Sequence, residues 1–475
     1  MAISRRQFIK RTGLATAGTV LGPGLFGGNA FVRNAMANIG GKFFIVIFLD
    51  GGNDGLNTVT PMDNGSGNLR TLYNGYRRTG GGGINLSPAA LAATQLTGDT
   101  DPATGANIAI HPGFTGLKQL WDIGKLAVIQ GAGYPDYSLS HEESRAIWQT
   151  ANPLGLGALS GTGWVGRHLA AEGYTGAQVP GVTIDNSVAP ELRQSATSVL
   201  AINDLEDFGF PYDGFNFGDD GAAKREAFRR LYEDWGVPDA QLAKKYLGNT
   251  GVATLLSSES YPALHDTYLA DRSSWNDTYD NLDTSLARDM REIAKIIYGV
   301  KNGAPNVAAH FFQLSNGGYD THSDQGAGEP DGQQYGLHKE LGDAIKAFYD
   351  DVADMGAAND VVIMTWSEFS RRIPQNDNGT DHGSQGPMFI VGGAVNGGIY
   401  GNHPDIANLD DNENTVYSQA AVQYRSTDIR DVYGTILKHW CGMTPGGILT
   451  NISPLDGGDP ADFWTVANFD MGFLP

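Results

Sequence analysis

The run from Lys42 to Leu49, KFFIVIFL, constrains this chain more than any other segment. Its apolar, β-prone residues follow one another without alternation. A sheet with one wet face would alternate, so the run suits a strand buried on both faces, as in a parallel sheet with helices on either side. It ends abruptly in Asp50-Gly51-Gly52-Asn53-Asp54-Gly55, which puts a carboxylate at the carboxyl end of a buried strand, the edge where open α/β sheets collect their ligands.

The rest of the chain extends this pattern. A helix over Thr115–Ile123 leads into a strand, Leu126–Gly131, and a second helix starts near Ser140 with Glu142 and Glu143 in its first turn, where the helix dipole favours them. Further strands are predicted at 181–184, 306–314, 361–365 and 388–391, with a crossover helix over 334–355 and a last helix capped by Thr427 or Asp428 and running to about Trp440. Residues 63–106, rich in glycine, read as surface loop. Between about 187 and 304 the pattern becomes mainly helical, with amphipathic stretches at 220–236, 237–246 and 280–300, and is predicted to be an inserted helical subdomain. The expected fold is therefore α/β, a mostly parallel sheet sandwiched between helices, with that insert.

At the start of the chain, Ser4-Arg5-Arg6-Gln7-Phe8-Ile9-Lys10 precedes a weakly apolar, glycine-interrupted stretch and Ala35-Met36-Ala37. Paired arginines, a mild apolar segment and small residues predict a twin-arginine export signal over 1–37, cleaved after Ala37, and a domain over 38–475 that passes the translocase folded. The expected address is the periplasm or beyond, without permanent membrane insertion. A formal charge of -21 argues against nucleic acid and anionic membranes as partners. Cys441 is the sole cysteine, which excludes an internal disulfide, and no haem or dinucleotide motif is present.

Polar residues recur at predicted strand ends: Asp50, the Ser140-His141 turn, Asp320-Thr321-His322, Ser367-Glu368, and Thr380-Asp381-His382-Gly383 just before a strand. Since carboxyl ends of parallel strands share one rim, these scattered positions can converge. Carboxylates with imidazoles suit zinc, manganese or magnesium, so Asp50, Asp320, His322, Glu368 and His382 are the candidate metal ligands. Each also has a plainer reading: Asp50 as a turn residue, His141 as a helix-start residue, Glu368 as the partner of Arg371 or Arg372, and His382 as a loop residue. The same arginines alternatively suit a substrate anion.

The order of these features resembles the alkaline phosphatase superfamily, which includes the sulfatases. More closely, the phrases FLDGGNDGLNTV, SHEESRAIWQT, GGYDTHSDQ, WSEFSRR and DHGSQGPMFIVGG resemble the domain-of-unknown-function 1501 family of secreted bacterial proteins, a remote branch of it. This resemblance implies an alkaline phosphatase-like fold, a metal-binding Asp50, and metal ligation by Asp320, His322 and His382. The superfamily's nucleophile position falls on His141, with Ser140 one residue earlier, and its second Asp-His pair is replaced by Ser367-Glu368. The implied activity is metal-dependent hydrolysis of a small anionic phosphate or sulfate ester, with Ser140 or His141 as the attacking or water-orienting group. The competing expectation is a catalytically inactive member acting as a secreted binding or surface-assembly protein.

Overall fold

The computed structural model describes residues 41–134, 137–152, 162–172, 174, 179–194, 197–209, 220–235, 242–409, 427–452 and 469–475. The expected export signal, 1–37, lies outside them. Strands are β1 (Phe43–Asp50), β2 (Val59–Pro61), β3 (Ile108–Ile110), β4 (Leu126–Gly133), β5 (Gly181–Thr183), β6 (Val199–Ala201), β7 (Phe311–Gly317), β8 (Val361–Trp366), β9 (Gly386–Gly392), β10 (Gly398–Tyr400) and β11 (Thr427–Asp428). Helices include α1 (Leu69–Tyr76), α2 (Thr115–Asp122), α3 (His141–Thr150), α4 (Trp164–Ala171), α5 (Asp220–Trp235), α6 (Leu242–Asp271), α7 (Ser273–Leu282), α8 (Ser285–Lys301), α9 (Gln333–Asp354), α10 (Ile429–Thr435) and α11 (Pro445–Ile452). None of the described helices is long and apolar enough to cross a membrane.

The chain divides into two compact units. The larger comprises Val46–Ala158, Leu282–Ala287 and Ser315–Pro475. Its sheet runs β10-β4-β9-β8-β1, with β10 and β11 parallel to β4. Phe43 to Leu49 are all buried, as their unbroken apolar run predicts. The sheet is mixed, mostly parallel and flanked by helices. Its exception is β9, which lies antiparallel to both neighbours, with Ile129 opposite Met388 and Ile363 opposite Val391. Helices α2 and α9 approach so closely that a Cβ on Gly116 would overlap the Gly342 carbonyl.

Of the described residues, the smaller unit comprises those within 41–45, 159–281 and 288–314. In it β5 pairs in parallel with β6, Gly181 opposite Val199, and with the first residues of β7, Gly181 opposite Phe311. Helices α4, α5 and α6, with most of α7 and α8, belong to it.

Three local expectations change. Residues 63–106 hold α1 and a small core in which Leu69, Tyr73, Leu86 and Leu91 are buried, because apolar contacts far apart in sequence replace helical periodicity. The stretch expected to be helical over 237–246 lies partly outside the described residues, and the part within them begins the long α6, which passes through Pro262. The strand expected over 306–314 forms later, at Phe311–Gly317. At the last helix, Asp428 is the cap, its Oδ1 accepting the Arg430 N–H at 2.9 Å.

Burial also fixes a pH dependence. Desolvation lowers His111 in the larger unit to about 3, and lowers His168 and His310 in the smaller unit to about 4. These residues stay neutral in the fold, whereas the unfolded chain protonates them near 6.5. Their contribution is complete above that value and is lost as pH falls towards 4. Chemical denaturation at pH 7.5, 6 and 5 should show stability declining below about pH 6.5, each extra proton adding about 1.4 kcal/mol per pH unit to the slope. A flat profile would mean that these rings are protonated in the fold.

Candidate metal centre

All the predicted site residues lie in the larger unit, on segments that follow its strands or open α3. Asp50 closes β1, and the chain then turns through Gly51 (φ +124°) and Gly52 (φ +85°). Both glycines are required twice over. Their backbone angles are ones L side chains rarely adopt, and a Cβ on Gly51 would overlap the Asp320 backbone nitrogen while one on Gly52 would strike the Phe369 ring. The turn also aims two N–H groups at one carboxylate: Gly51 donates to Glu368 Oε1 at 3.1 Å and Gly52 to Oε2 at 3.2 Å.

Glu368 follows β8 and is fully buried. His141 Nδ1 lies 2.8 Å from its Oε1, and Arg145 Nε and Nη2 each lie 3.3 Å from the same oxygen. Arg145 Nη2 also binds Asp50 Oδ1. The Asp50 carboxyl sits above the usual carboxylate range, because burial and the Glu368 charge outweigh Arg145. The one-turn pairing of Glu368 with Arg371 or Arg372 does not form. Arg371 is instead fully buried and donates to the carbonyls of Gly51, Gly52, Tyr319 and Thr380 and to Asp320 Oδ1. A side chain so fully used is a brace for the Asp320 loop, and the alternative of a substrate-binding Arg371 falls away.

Around Asp320 the imidazoles gather. His322 Nε2 lies 3.1 Å and His382 Nε2 3.2 Å from Asp320 Oδ1, the two Nε2 atoms are 3.1 Å apart, and His141 Nε2 is 3.8 Å from Oδ2. The opposite nitrogen of each ring faces an oxygen. His382 Nδ1 is 2.9 Å from the Leu139 carbonyl, His141 Nδ1 faces Glu368, and His322 Nδ1 is 3.2 Å from Asp381 Oδ1. A carbonyl or carboxylate only accepts, so each Nδ1 is placed to carry a proton, and each Nε2 is the ring atom turned towards Asp320. Ring nitrogens this close to one another and to a carboxylate need a shared proton or a cation among them. The donor set thus fits a cation: imidazoles oriented by oxygen acceptors are the usual support of a metal-binding histidine.

The electrostatics agree. Burial lowers His382, favouring the neutral form that ligates metal. Burial pushes the Asp320 carboxyl up, but Arg371 and His382 outweigh it and hold it below its ordinary value, so it is ionised at neutral pH. Among the described residues, the carboxylates of Asp50, Asp320, Glu368 and Asp381 are met by two guanidinium groups, Arg145 and Arg371, which leaves an excess of negative charge. The Asp320 and His322 side chains are nearly half exposed, so an ion and a ligand could reach them.

A second cluster, in the smaller unit, fails the same test. Asp204, Glu206 and His265 lie close enough to share an ion. His265 Nδ1, however, faces the buried Lys295 ammonium at 2.9 Å. An ammonium only donates, so His265 Nδ1 accepts and the ring proton sits on Nε2, the atom turned towards Glu206 at 3.6 Å. That ring is presented to Glu206 as a donor.

Every candidate ligand is therefore in one neighbourhood, in two groups. His141, Asp320 and His382 place one donor atom each within 4.8 Å of one another, with His322 Nε2 beside Asp320 and His382, while Asp50 and Glu368 are tied to Arg145. Ser140 is the exposed N-cap residue of α3, and its hydroxyl makes no hydrogen bond among the described residues. Sequence reasoning missed Arg145, although its place four residues after His141 puts both on one face of α3. It also assigned no role to Asp381. A separate open groove of about 730 Å³, lined among others by Asn85, Asp324, Glu329, Asp331 and Asn378, has none of the candidate site residues in its wall.

Comparison with known proteins finds a family match over part of the chain. Residues 304–440 match the family described as "Protein of unknown function (DUF1501)", a span that holds three of the five phrases, GGYDTHSDQ, WSEFSRR and DHGSQGPMFIVGG. No curated protein matches the chain. Similar solved structures include Ps i-CgsB in complex with k-i-k-neocarrahexaose, at 10% identity and TM-score 0.35, covering 86% of this chain and 74% of that one. The lipoteichoic acid synthase LtaP from Listeria monocytogenes is 11% identical, with TM-score 0.34 and coverage of 87% and 79%. The PsFucS1 sulfatase from Pseudoalteromonas sp. is 11% identical, with TM-score 0.30 and coverage of 90% and 71%.

The Asp50-Gly51-Gly52 turn yields a direct test. Gly51→Ala should lower stability by about 1–3 kcal/mol through backbone strain, more where the Asp320 clash is not relieved. Denaturant unfolding measures the loss, and an unchanged midpoint would show that the turn relaxes freely.

Proposed function

We propose that this chain, a DUF1501 chain over residues 304–440, is an exported hydrolase of phosphate or sulfate esters that depends on a divalent metal such as zinc, manganese or magnesium. One observation carries the reading. Three histidines each commit Nδ1 to an oxygen acceptor and so direct Nε2 at Asp320. His141, Asp320, His322 and His382 would hold the ion, with Asp50 and Glu368 as supporting carboxylates. When bound, the ion would offset negative charge on an ester oxygen.

The chain's own groups divide the remaining work. Arg371 fixes the Asp320 loop by tying it to the carbonyls of Gly51 and Gly52. Glu368 fixes the tautomer and direction of His141, and the amino end of α3 beneath that ring favours an anionic group. Of the two candidates for attack or for orienting water, His141 would spend Nδ1 on Glu368 and Nε2 on the ion, which leaves Ser140, whose exposed hydroxyl makes no hydrogen bond among the described residues. The small anionic ester would enter at the exposed edge of Asp320 and His322. Export through the twin-arginine translocase and a periplasmic or extracellular location belong to the same proposal, on the strength of residues 1–37.

A second reading rests on a specific observation: a histidine, not a hydroxyl or thiol, opens α3 where the superfamily's nucleophile is expected. On that reading the chain is catalytically inactive and serves as a secreted binding or surface-assembly protein.

Elemental analysis and hydrolysis of nitrophenyl phosphate and sulfate decide between them. The mature protein should hold stoichiometric metal and hydrolyse at least one of the two esters. Asp320→Ala and His382→Ala should each lose more affinity than the roughly 10- to 100-fold that removing a supporting partner costs. Metal without turnover of either ester would favour the binding protein, and absence of both after zinc or manganese addition would sink the metal-dependent reading.

A further inference from the structure

The three carboxylates of Asp50, Asp320 and Glu368 and the three imidazoles of His141, His322 and His382 provide enough donors for two ions, yet the geometry commits part of that set elsewhere. Arg145 Nη2 bridges Asp50 Oδ1 and Glu368 Oε1, and Arg145 Nε adds a further bond to Glu368. Both Glu368 oxygens also accept the glycine N–H groups, and its Oε1 takes His141 Nδ1 as well. The guanidinium thus occupies the place between Asp50 and Glu368 where another cation would have to bind. Its carrier helix is fixed nearby, since Ser144 Oγ donates to the Glu368 carbonyl and accepts from Tyr134 at 2.7 Å.

We infer that this is a one-ion centre in which Arg145 stands in for a second metal. The inference rests on the reading of the Asp320 cluster as a metal site and adds to it the number of ions and the reason. A guanidinium keeps its charge at all ordinary pH values and offers a planar fork of donors, so it neutralises Asp50 and Glu368 permanently, where an ion could dissociate. Arg145 is a positioning residue here: it holds the two carboxylates, and Glu368 in turn holds His141. Nη1 of Arg145 makes no hydrogen bond among the described residues, and the side chain is about one-third exposed.

Zinc stoichiometry of the purified full chain tests this directly, measured beside Asp50→Asn and Arg145→Gln. The expected result is one zinc per chain in the wild type, one in Asp50→Asn with affinity weakened by no more than the roughly 10- to 100-fold that loss of a supporting partner costs, and two in Arg145→Gln, where the freed carboxylates accept an ion. Two zinc ions in the wild type, loss of zinc in Asp50→Asn, or a folded Arg145→Gln that still holds one would each overturn the inference while leaving the metal reading intact. No zinc in the wild type would overturn the metal reading itself, and this inference with it. Should Arg145→Gln not fold, Asp50→Asn decides: retention of the single ion supports the assignment, and its loss rejects it.

Discussion

The buried charge of Glu368 is the constraint on which the larger unit's functional edge depends. A carboxylate with no exposure must be matched by donors, and this one is matched by the Gly51 and Gly52 amides, by His141 and by Arg145. Those partners come from the turn after β1 and from α3, and Glu368 itself follows β8. One charge thereby locks together three segments that are distant in sequence. Removing a single partner from a buried pair typically costs about 3–5 kcal/mol, because the remaining charge is left uncompensated. The need to avoid that cost fixes the direction of the His141 ring as firmly as any packing contact.

Arg371 performs the parallel task one layer away. Its buried guanidinium gathers the carbonyls of Gly51, Gly52, Tyr319 and Thr380, all of which lie outside the strands, and delivers its remaining charge to Asp320. The turn after β1 is thus gripped from both sides: its N–H groups by Glu368 and its carbonyls by Arg371. A glycine pair is the sequence that permits this, since both faces of its peptides must be accessible and neither residue has room for a side chain.

The readable parts of the sequence were those governed by local physics. The KFFIVIFL run gave β1, the acidic first turn marked α3, and the position of polar residues at strand ends brought Asp50, His141, Asp320, His322, Glu368 and His382 to one neighbourhood. What stayed hidden was pairing. Nothing local distinguishes an arginine that salts a helix surface from one that bridges two carboxylates from other segments, so Arg145 passed unnoticed and Glu368 was matched with the wrong arginines. The antiparallel β9 was hidden for the same reason: PMFIVGG has the unbroken apolar character of a doubly buried strand, and such a strand reads alike in either direction.

Protonation state separates the two histidine-carboxylate clusters more sharply than distance does. Both bring an imidazole and carboxylates within a few ångströms of each other. In the smaller unit a lysine ammonium faces His265 Nδ1, which forces the proton onto Nε2 and makes that ring a donor to Glu206. At Asp320 the sense is reversed, because Leu139, Glu368 and Asp381 each offer oxygen to Nδ1. The first arrangement satisfies itself with the protons it has. The second sets ring nitrogens against a carboxylate at about 3 Å, where a proton or a cation must lie between them, and the acceptors behind the rings favour the cation by holding a proton on each Nδ1.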